Sequence, residues 1–507
     1  MQMQAQGIGF WLTKREDLSG EKIALVDGDR TMTYAELNRR VNRLSHALQG
    51  LGVKYGDRIG ILSYNRYEFL EAIMAAAKLG AIVVPLNWRL TAVELAFILS
   101  DSGTEALFFD ASLAATAMEL KDKCAIRLMI SIGEKPPGGV PDYEGLLAKQ
   151  PEKEPEPDQA VGLDTPHIIM YTAGTTGKPK GAVLSQGASF WNAINVVLSL
   201  DLTSADKTLI ALPMFHIGGI GLFTLPVLYV GGTVVIMRAF DPARALDIME
   251  KERISVFMGV PAIFLFLAQN PEFGKMKDVR VIMSGGAPLP VSLIRRYDDA
   301  GLKLRQGFGM SEAAPSIAIL DGDLYLRKAG SIGKGLMHLD VRVVDENMND
   351  MPPNEAGELV MKGPNVMQGY WNRPDATKEA FAGGWFHSGD VARMDEDGFL
   401  YIVDRKKDMF ISGGENVYPA EVENAIYEIP EVGEAAVIGL ADAKWGEVGC
   451  AVVALKPGKA ATEESIIAFL KSRLAKYKVP RKVEFIDALP RNAAGKVLKN
   501  ELRRRYS

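Results

Sequence analysis

Tyr171-Thr172-Ala173-Gly174-Thr175-Thr176-Gly177-Lys178-Pro179-Lys180-Gly181 sets three glycines, three threonines and two lysines within eleven residues. The apolar run Ile168-Ile169-Met170 precedes it. That order predicts a buried strand emptying into a loop rich in N–H, hydroxyl and ammonium donors. Glycine lets backbone approach a ligand closely, and successive N–H groups form an anion-binding concavity. The fitting ligand is a polyanion, most often the phosphate chain of a nucleotide. An ordinary surface turn rarely gathers so many donors behind a strand. The P-loop pattern G-x-x-x-x-G-K-[ST] is not met, because Thr172 stands five residues before Gly177 and Pro179 follows Lys178.

The chain around this loop has 507 residues, which is long for one compact domain, so two or more are expected. Hydrophobic content of 48% and charged content of 24% are those of a globular protein. A formal net charge of -5 argues against a nucleic-acid binder. Two cysteines, Cys124 and Cys450, leave no disulfide framework and suit the cytoplasm. Met1–Asp17 shows no basic-then-apolar leader pattern. The uncharged run Ile217–Met237 approaches membrane-spanning length. Its Gly218, Gly219, Gly221, Pro226, Gly231 and Gly232 instead predict a buried helix, a glycine turn and a buried strand from near Thr233. A peripheral membrane contact stays open. The histidines and cysteines lack zinc-ligand spacing, and no G-x-S-x-G elbow is present.

Thr33 to Gly52 reads as a helix, with a capping-box pair at Thr33 and Glu36 and a stripe of Leu37, Val41, Leu44 and Leu48. Strands are predicted near Arg58–Ser63, Ala81–Val84 and Leu107–Phe109, with helices near Tyr67–Leu79 and Ala92–Leu99. This alternation argues an α/β fold of doubly wound parallel sheets. A proline- and charge-rich connector over residues 131–165 interrupts it. The alternation resumes at His167 and runs to about Leu320, and Ser331–Tyr401 reads as a small β-rich subdomain. Residues 405–507 carry 18 Lys+Arg against 14 Asp+Glu, whereas the other 404 carry 40 against 49. A basic cap on an acidic body fits a unit that closes over anionic ligands.

Further motifs follow in order. Leu212-Pro-Met-Phe-His216-Ile-Gly-Gly219 puts an aromatic and a histidine after a predicted strand. Alone, His216 reads as a satisfied core histidine. Ser284-Gly285-Gly286-Ala287-Pro288 is a side-chain-poor turn against which a flat ring could lie. Gln306-Gly307-Phe308-Gly309-Met310-Ser311-Glu312 is not a dinucleotide fingerprint, since Glu312 takes the third glycine position. Gly384-Trp-Phe-His-Ser-Gly-Asp390, Asp404-Arg405, Ser412-Gly413-Gly414 and Gly495-Lys496 complete the set.

Several motifs in this order resemble the acyl-adenylate-forming superfamily, which includes acyl-CoA synthetases, luciferases and adenylation domains. The resemblance runs from about Thr33 to Lys499 and implies a large N-terminal unit, residues 1–403, and a small mobile α+β C-terminal unit, residues 404–507, hinged at Asp404. It implies that Thr172, Gly174, Thr175, Thr176, Gly177, Lys178 and Lys180 hold the phosphates of ATP. Ala173 departs from a common serine. Gly285, Gly286, Ala287 and Pro288 would border adenine, as would Gly307, Phe308, Gly309 and Met310, with Phe308 stacked on the ring. Ser311 would bond the α-phosphate, and Glu312 with Thr172 would hold Mg²⁺. Asp390 would anchor the ribose, Arg405 would reach ribose or phosphate, and Gly413 and Gly414 would line the path of coenzyme A. His216 would flank the acyl group, with Gly218, Gly219 and Gly221 leaving volume for a substrate tail; amino-acid-activating relatives carry an aspartate at the His216 position, so an amino acid is disfavoured. Lys496 would be the catalytic lysine.

The implied reaction joins a carboxylic acid to AMP with release of pyrophosphate, then passes the acyl group to a free thiol, CoA. A carboxylate resists thiol attack directly, whereas AMP is a good leaving group. The expectation is an AMP-forming acyl-CoA synthetase for a medium- or long-chain fatty acid. An aryl-acid or o-succinylbenzoate CoA ligase is the first alternative, and a non-catalytic nucleotide-binding regulator is one of another class. The oligomeric state stays open, a homodimer being frequent among members of that superfamily.

Overall fold

The computed structural model describes residues 7–133, 138–172, 179–287, 289–320, 322–405, 408–412, 415–442, 445–491 and 497–507. Two mixed sheets form the large body. One has seven strands: parallel Leu128–Ile132, Ala106–Asp110, Arg58–Leu62, Ile82–Leu86 and Pro166–Thr172, then antiparallel Lys180–Ser185 and Gly369–Tyr370. The other has nine strands, with parallel Leu304–Gly309, Val281–Ser284, Val256–Gly259, Lys207–Ile210, Thr233–Ile236 and Ile23–Asp27 between antiparallel edges. Helices cover the sheet faces, which is why the central strands are mostly apolar and largely buried.

The local signals explain the helix ends. The predicted first long helix spans Tyr34–Gly50, and Thr33 and Glu36 bond reciprocally as a capping box. A second capping box, Thr91 with Glu94, starts Ala92–Ser102. Tyr67–Leu79 is helical at the predicted bounds and wholly buried. Its buried Glu71 accepts two bonds from Arg40, at 2.6 and 3.1 Å, and one from Tyr143, at 2.6 Å.

The connector over 131–165 differs in part from a bare linker. It contains a short helix, Tyr143–Leu147, and then docks on the first long helix. Lys78 holds it there, its Nζ donating to Glu154 Oε2 at 2.7 Å and to Asn38 and Asn42. The glycine-rich run Ile217–Met237 forms a π-type turn at Gly218–Leu222, a helix at Thr224–Val230 and a strand from Thr233. Gly231 takes the left-handed cap there, with φ +81°. The buried Tyr34 hydroxyl bonds Gly232 O at 2.7 Å and locks this turn to the long helix. Among the described residues, no helix is long and apolar enough to cross a membrane.

The β-rich subdomain is a four-stranded antiparallel sheet of Asp340–Val344, Ala356–Lys362, Phe386–Met394 and Leu400–Arg405. The strand that carries Asp404 ends one residue later. Beyond it, Val432–Asp442 and Gly446–Leu455 form the long hairpin of a small sheet with Phe410–Ser412, Glu415–Val417 and Lys482–Phe485. The helices Pro419–Ile426, Glu463–Lys471 and Lys499–Tyr506 pack with this sheet.

Replacing Arg40 by Ala strands the buried Glu71 carboxylate and should cost about 3–5 kcal/mol. Lys303→Ala, which removes an exposed pair with Asp323, should cost under about 1 kcal/mol. Denaturant unfolding of the two variants checks the difference.

Candidate functional site

The two large sheets meet at the end of strand Pro166–Thr172. There Thr172 Oγ1 lies 3.4 Å from Glu312 Oε1. Glu312 sits in a short 3₁₀ turn, Ser311–Ala313, between two strands of the nine-stranded sheet. It is only 6% exposed. Tyr370, on the edge strand of the seven-stranded sheet, donates its hydroxyl to the same Oε1 at 3.2 Å. Burial and then the Glu312 charge push the Tyr370 pKa up, so this hydroxyl keeps its proton and serves as a donor. Lys180 lies over the Tyr370 ring at 5.3 Å.

A cavity of about 480 Å³ opens beside this point. Gly285, Gly286, Gly307, Phe308, Gly309, Met310 and Ser311 line it, as do His216, Gly218 and Gly219. Segments more than ninety residues apart therefore reach one space, as the motifs predict. Ala287 is not in the lining. Thr172, Lys180 and Glu312 lie outside it, next to its Ser311 end. Among the described residues, the lining carries no carboxylate but two guanidinium groups, Arg89 and Arg238. Asp110 anchors Arg238 at 3.0 Å.

His216 lies past the end of strand Lys207–Ile210, in a turn held by Asn65. Asn65 accepts from Met214 N at 2.8 Å and donates to Leu212 O at 2.9 Å. The His216 Nε2 atom is buried with no hydrogen-bond partner among the described residues. Burial, then the Arg89 charge, pushes its pKa down to about 4. The reading of His216 as a satisfied core histidine is thus not what the structure shows. The imidazole is neutral at ordinary pH and has one nitrogen left to bond a ligand.

The glycines of this turn need a correction. All three were expected to leave volume for a substrate tail. A Cβ on Gly221 would stand 2.6 Å from Ala314 O, and one on Gly219 2.3 Å from Pro213 O. These two permit close backbone packing. At Gly218 the nearest atom would be 3.6 Å away, so only there does the absent side chain leave usable room.

Asp390 is buried on strand Phe386–Met394, with Arg405 directly across the pair, and it lies outside the cavity lining. Asp404 Oδ2 accepts from Ala420 N at 2.8 Å. Gly174, Thr175, Thr176, Gly177, Lys178, Pro288, Gly413, Gly414 and Lys496 lie outside the described residues, as does the Arg405 side chain. The sequence reading missed Tyr370, Arg89, Arg238 and Asn65. Each acts across a long sequence gap, and none carries a local motif.

Mg²⁺ takes one or two carboxylates and completes its shell with phosphate oxygens and water. Glu312, with the Thr172 hydroxyl beside it, fits that requirement. No group of three or more His, Cys, Asp or Glu suited to a metal occurs among the described residues.

The profile of the AMP-binding enzymes matches residues 12–371, and that of the AMP-binding enzyme C-terminal domain matches residues 421–496. The chain is 45% identical over 506 residues to a feruloyl-CoA synthase of Amycolatopsis sp, covering 99% of this chain and 100% of that one. It is 39% identical to the long-chain-fatty-acid–CoA ligase FadD13 of Mycobacterium tuberculosis, over 99% of each chain. Among solved structures it is similar to ATP-bound MatB of Rhodopseudomonas palustris, with a TM-score of 0.92, 33% identity and 99% of each chain covered. The apo structure of MatB superposes less closely, with a TM-score of 0.82 at 33% identity over 99% of each chain.

Two predictions follow from this geometry. Because the His216 imidazole stays neutral down to about pH 4, the normalised activity profiles of wild type and His216→Gln should coincide between pH 5.5 and 7.5. A depressed histidine pKa adds stability that is full above its ordinary 6.5 and is lost as pH falls toward 4, so acid unfolding should be shallower in the variant. Gly218→Val should lower kcat/KM for a bulky acid by about 1–3 kcal/mol in transition-state terms. The same change should leave the melting temperature close to that of wild type, whereas Gly219→Val should lower it.

Proposed function

Because the chain belongs to the AMP-binding enzymes and is an acid–thiol ligase of the acyl-CoA synthetase kind, we propose that it activates an aromatic carboxylic acid as its acyl-AMP and passes the acyl group to CoA. The observation that carries this reading is a carboxylate-free cavity, mostly apolar, that ends in Ser311 beside the Thr172–Glu312–Tyr370 cluster. A lining with Arg89, Arg238 and neutral His216 suits an anionic acid and repels an ammonium group. Its apolar part includes Leu222, Met258, Ile263, Phe266 and Met283. At about 480 Å³ the cavity sits low in the range of drug-sized sites, yet it borders both the expected adenine turns and the acyl end. A compact ring acid fits that limit better than a long alkyl chain. The 45% identity to a feruloyl-CoA synthase supports the same choice. The apolar lining and the likeness to FadD13 support a fatty acid as the second reading.

The proposed chemistry needs positive charge where the α-phosphorus becomes crowded with oxygen. Mg²⁺, held by Glu312 with Thr172, supplies part of that charge when bound. Ser311 donates to the α-phosphate, and Lys180 and the loop 173–178 hold the outer phosphates. His216 Nε2 orients the acid. Phe308 stacks on the adenine, while Asp390 and Arg405 hold the ribose. Lys496 arrives with the small unit for the first step and leaves for the second, when CoA enters past Gly413 and Gly414. Rotation at Asp404 would serve both, as a gated conformational step. The cytoplasm is the proposed location, where ATP and CoA are available.

Pyrophosphate release with CoA over a panel of cinnamic, benzoic and straight-chain acids tests the reading. Cinnamic or benzoic acids are expected to lead, and dominance of the straight-chain acids favours the second reading. If no acid yields pyrophosphate, a non-catalytic nucleotide binder gains. Lys496→Ala should abolish acyl-AMP formation and spare thioester formation from presynthesised acyl-AMP. Equal loss of both steps defeats the role of Lys496.

A further inference from the structure

Asp101 stands in the last turn of the helix Ala92–Ser102, a turn that holds no basic side chain. A carboxylate is disfavoured there, because the carbonyl end of a helix carries partial negative charge. The helix does not account for this residue, but its partners on other elements do. Its Oδ2 accepts from the Tyr171 hydroxyl at 2.8 Å, and its Oδ1 accepts from Arg373 Nη2. Its backbone oxygen accepts from Trp371 Nε1 at 3.2 Å. The side chain is only 12% exposed. Tyr171 immediately precedes Thr172, and Trp371 and Arg373 follow Tyr370. One residue therefore holds the chain neighbours of both hydroxyls that lie beside Glu312.

The pleat of the sheet carries this hold from one face to the other. Successive side chains of a strand leave opposite faces. Tyr171 and Trp371 pack on the face that the helix covers, with Ile169 and Val183. Tyr370 packs on the other face, with Met170 and Ala182. Thr172 follows Tyr171 and turns to that other face, where its Oγ1 lies 3.4 Å from Glu312 Oε1. The backbone ladder is thin at this point. The strand Gly369–Tyr370 is two residues long and edges the sheet, and the strand Pro166–Thr172 ends at Thr172 itself. Side-chain anchors behind the two strands therefore weigh heavily in where the two hydroxyls stand.

We propose that Asp101 is a positioning residue: by holding Tyr171 and Arg373 on the helix-covered face of the sheet, it sets the Thr172 and Tyr370 hydroxyls beside Glu312 on the other, and so tightens binding of the metal-bound triphosphate. The inference rests on the reading above in which Glu312 with Thr172 holds Mg²⁺. Asp101 acts only through the residues it holds. Partners that orient a metal's ligands typically change its affinity by about 10–100-fold when they are removed.

Isothermal titration calorimetry of the full chain with ATP, in magnesium and in EDTA, gives a readout that needs no activity. Wild type should bind ATP more tightly with Mg²⁺, and Glu312→Gln should erase that gain. Asp101→Ala should shrink the gain by about tenfold and leave affinity in EDTA near that of wild type. Tyr171→Phe, which removes only a hydroxyl that Asp101 accepts from, should shrink it in the same direction. It carries the comparison if the alanine variant does not fold. Pyrophosphate release should show the matching split, a raised KM for Mg²⁺ with kcat recovered at saturating magnesium. An unchanged gain in both variants overturns the proposal. Equal loss of affinity with and without the metal also overturns it, since a merely structural role acts on both alike. If Glu312→Gln keeps the full gain, the metal reading of Glu312 fails and this proposal with it. Absence of pyrophosphate from wild type, with the calorimetric pattern as expected, defeats the catalytic reading alone.

Discussion

The Glu312 carboxylate, almost removed from water, is the point at which the two large sheets agree. A buried carboxylate is costly unless donors surround it. Two of its donors come from the other sheet, Thr172 from an internal strand and Tyr370 from the edge strand. That requirement fixes where the strand Pro166–Thr172 ends relative to the turn that carries Ser311. Neither sheet contains the site by itself.

The cavity follows from the same meeting of sheets. Its walls are strand ends and the turns after them, where backbone is freed from the ladder and side chains can face a ligand. The glycines there have divided duties. Gly219 and Gly221 bring backbones into contact, and Gly218 alone leaves room. Arg89 and Arg238 sit at this cavity because Asp110 and neighbouring rings hold them, with Arg238 4.5 Å from the Tyr64 ring centroid. Anionic character in the ligand is thus favoured by groups that the motifs do not include.

Buried ion pairs fasten each unit within itself. In the large body, ion pairs such as Arg40–Glu71 and Lys78–Glu154 fasten helices and the connector in one geometry. In the small unit, Lys499 pairs with Glu423 and Arg503 with Asp408, fastening its last helix to the helix Pro419–Ile426 and to the segment that follows Arg405.

Much of this was legible in the residues themselves. The helix of Tyr34–Gly50, its capping box, the Tyr67–Leu79 helix and the apolar strands are set by local spacing and local hydrogen bonds, which a single sequence displays. The Gly307–Glu312 turn stood out because its glycines and Glu312 lie side by side in the chain, as did the glycine–threonine loop, whose residues 173–178 lie outside the described residues. Tertiary structure alone decided that the alternating strands form two sheets, that Tyr370 reaches Glu312, and that Arg89, Arg238 and Asn65 frame His216. It also placed His216, which the resemblance sets beside the acyl group, in the lining of the cavity, with its Nε2 atom buried and without a hydrogen-bond partner among the described residues. Those outcomes depend on contacts between residues tens to hundreds of positions apart, and no local period or motif encodes such a meeting.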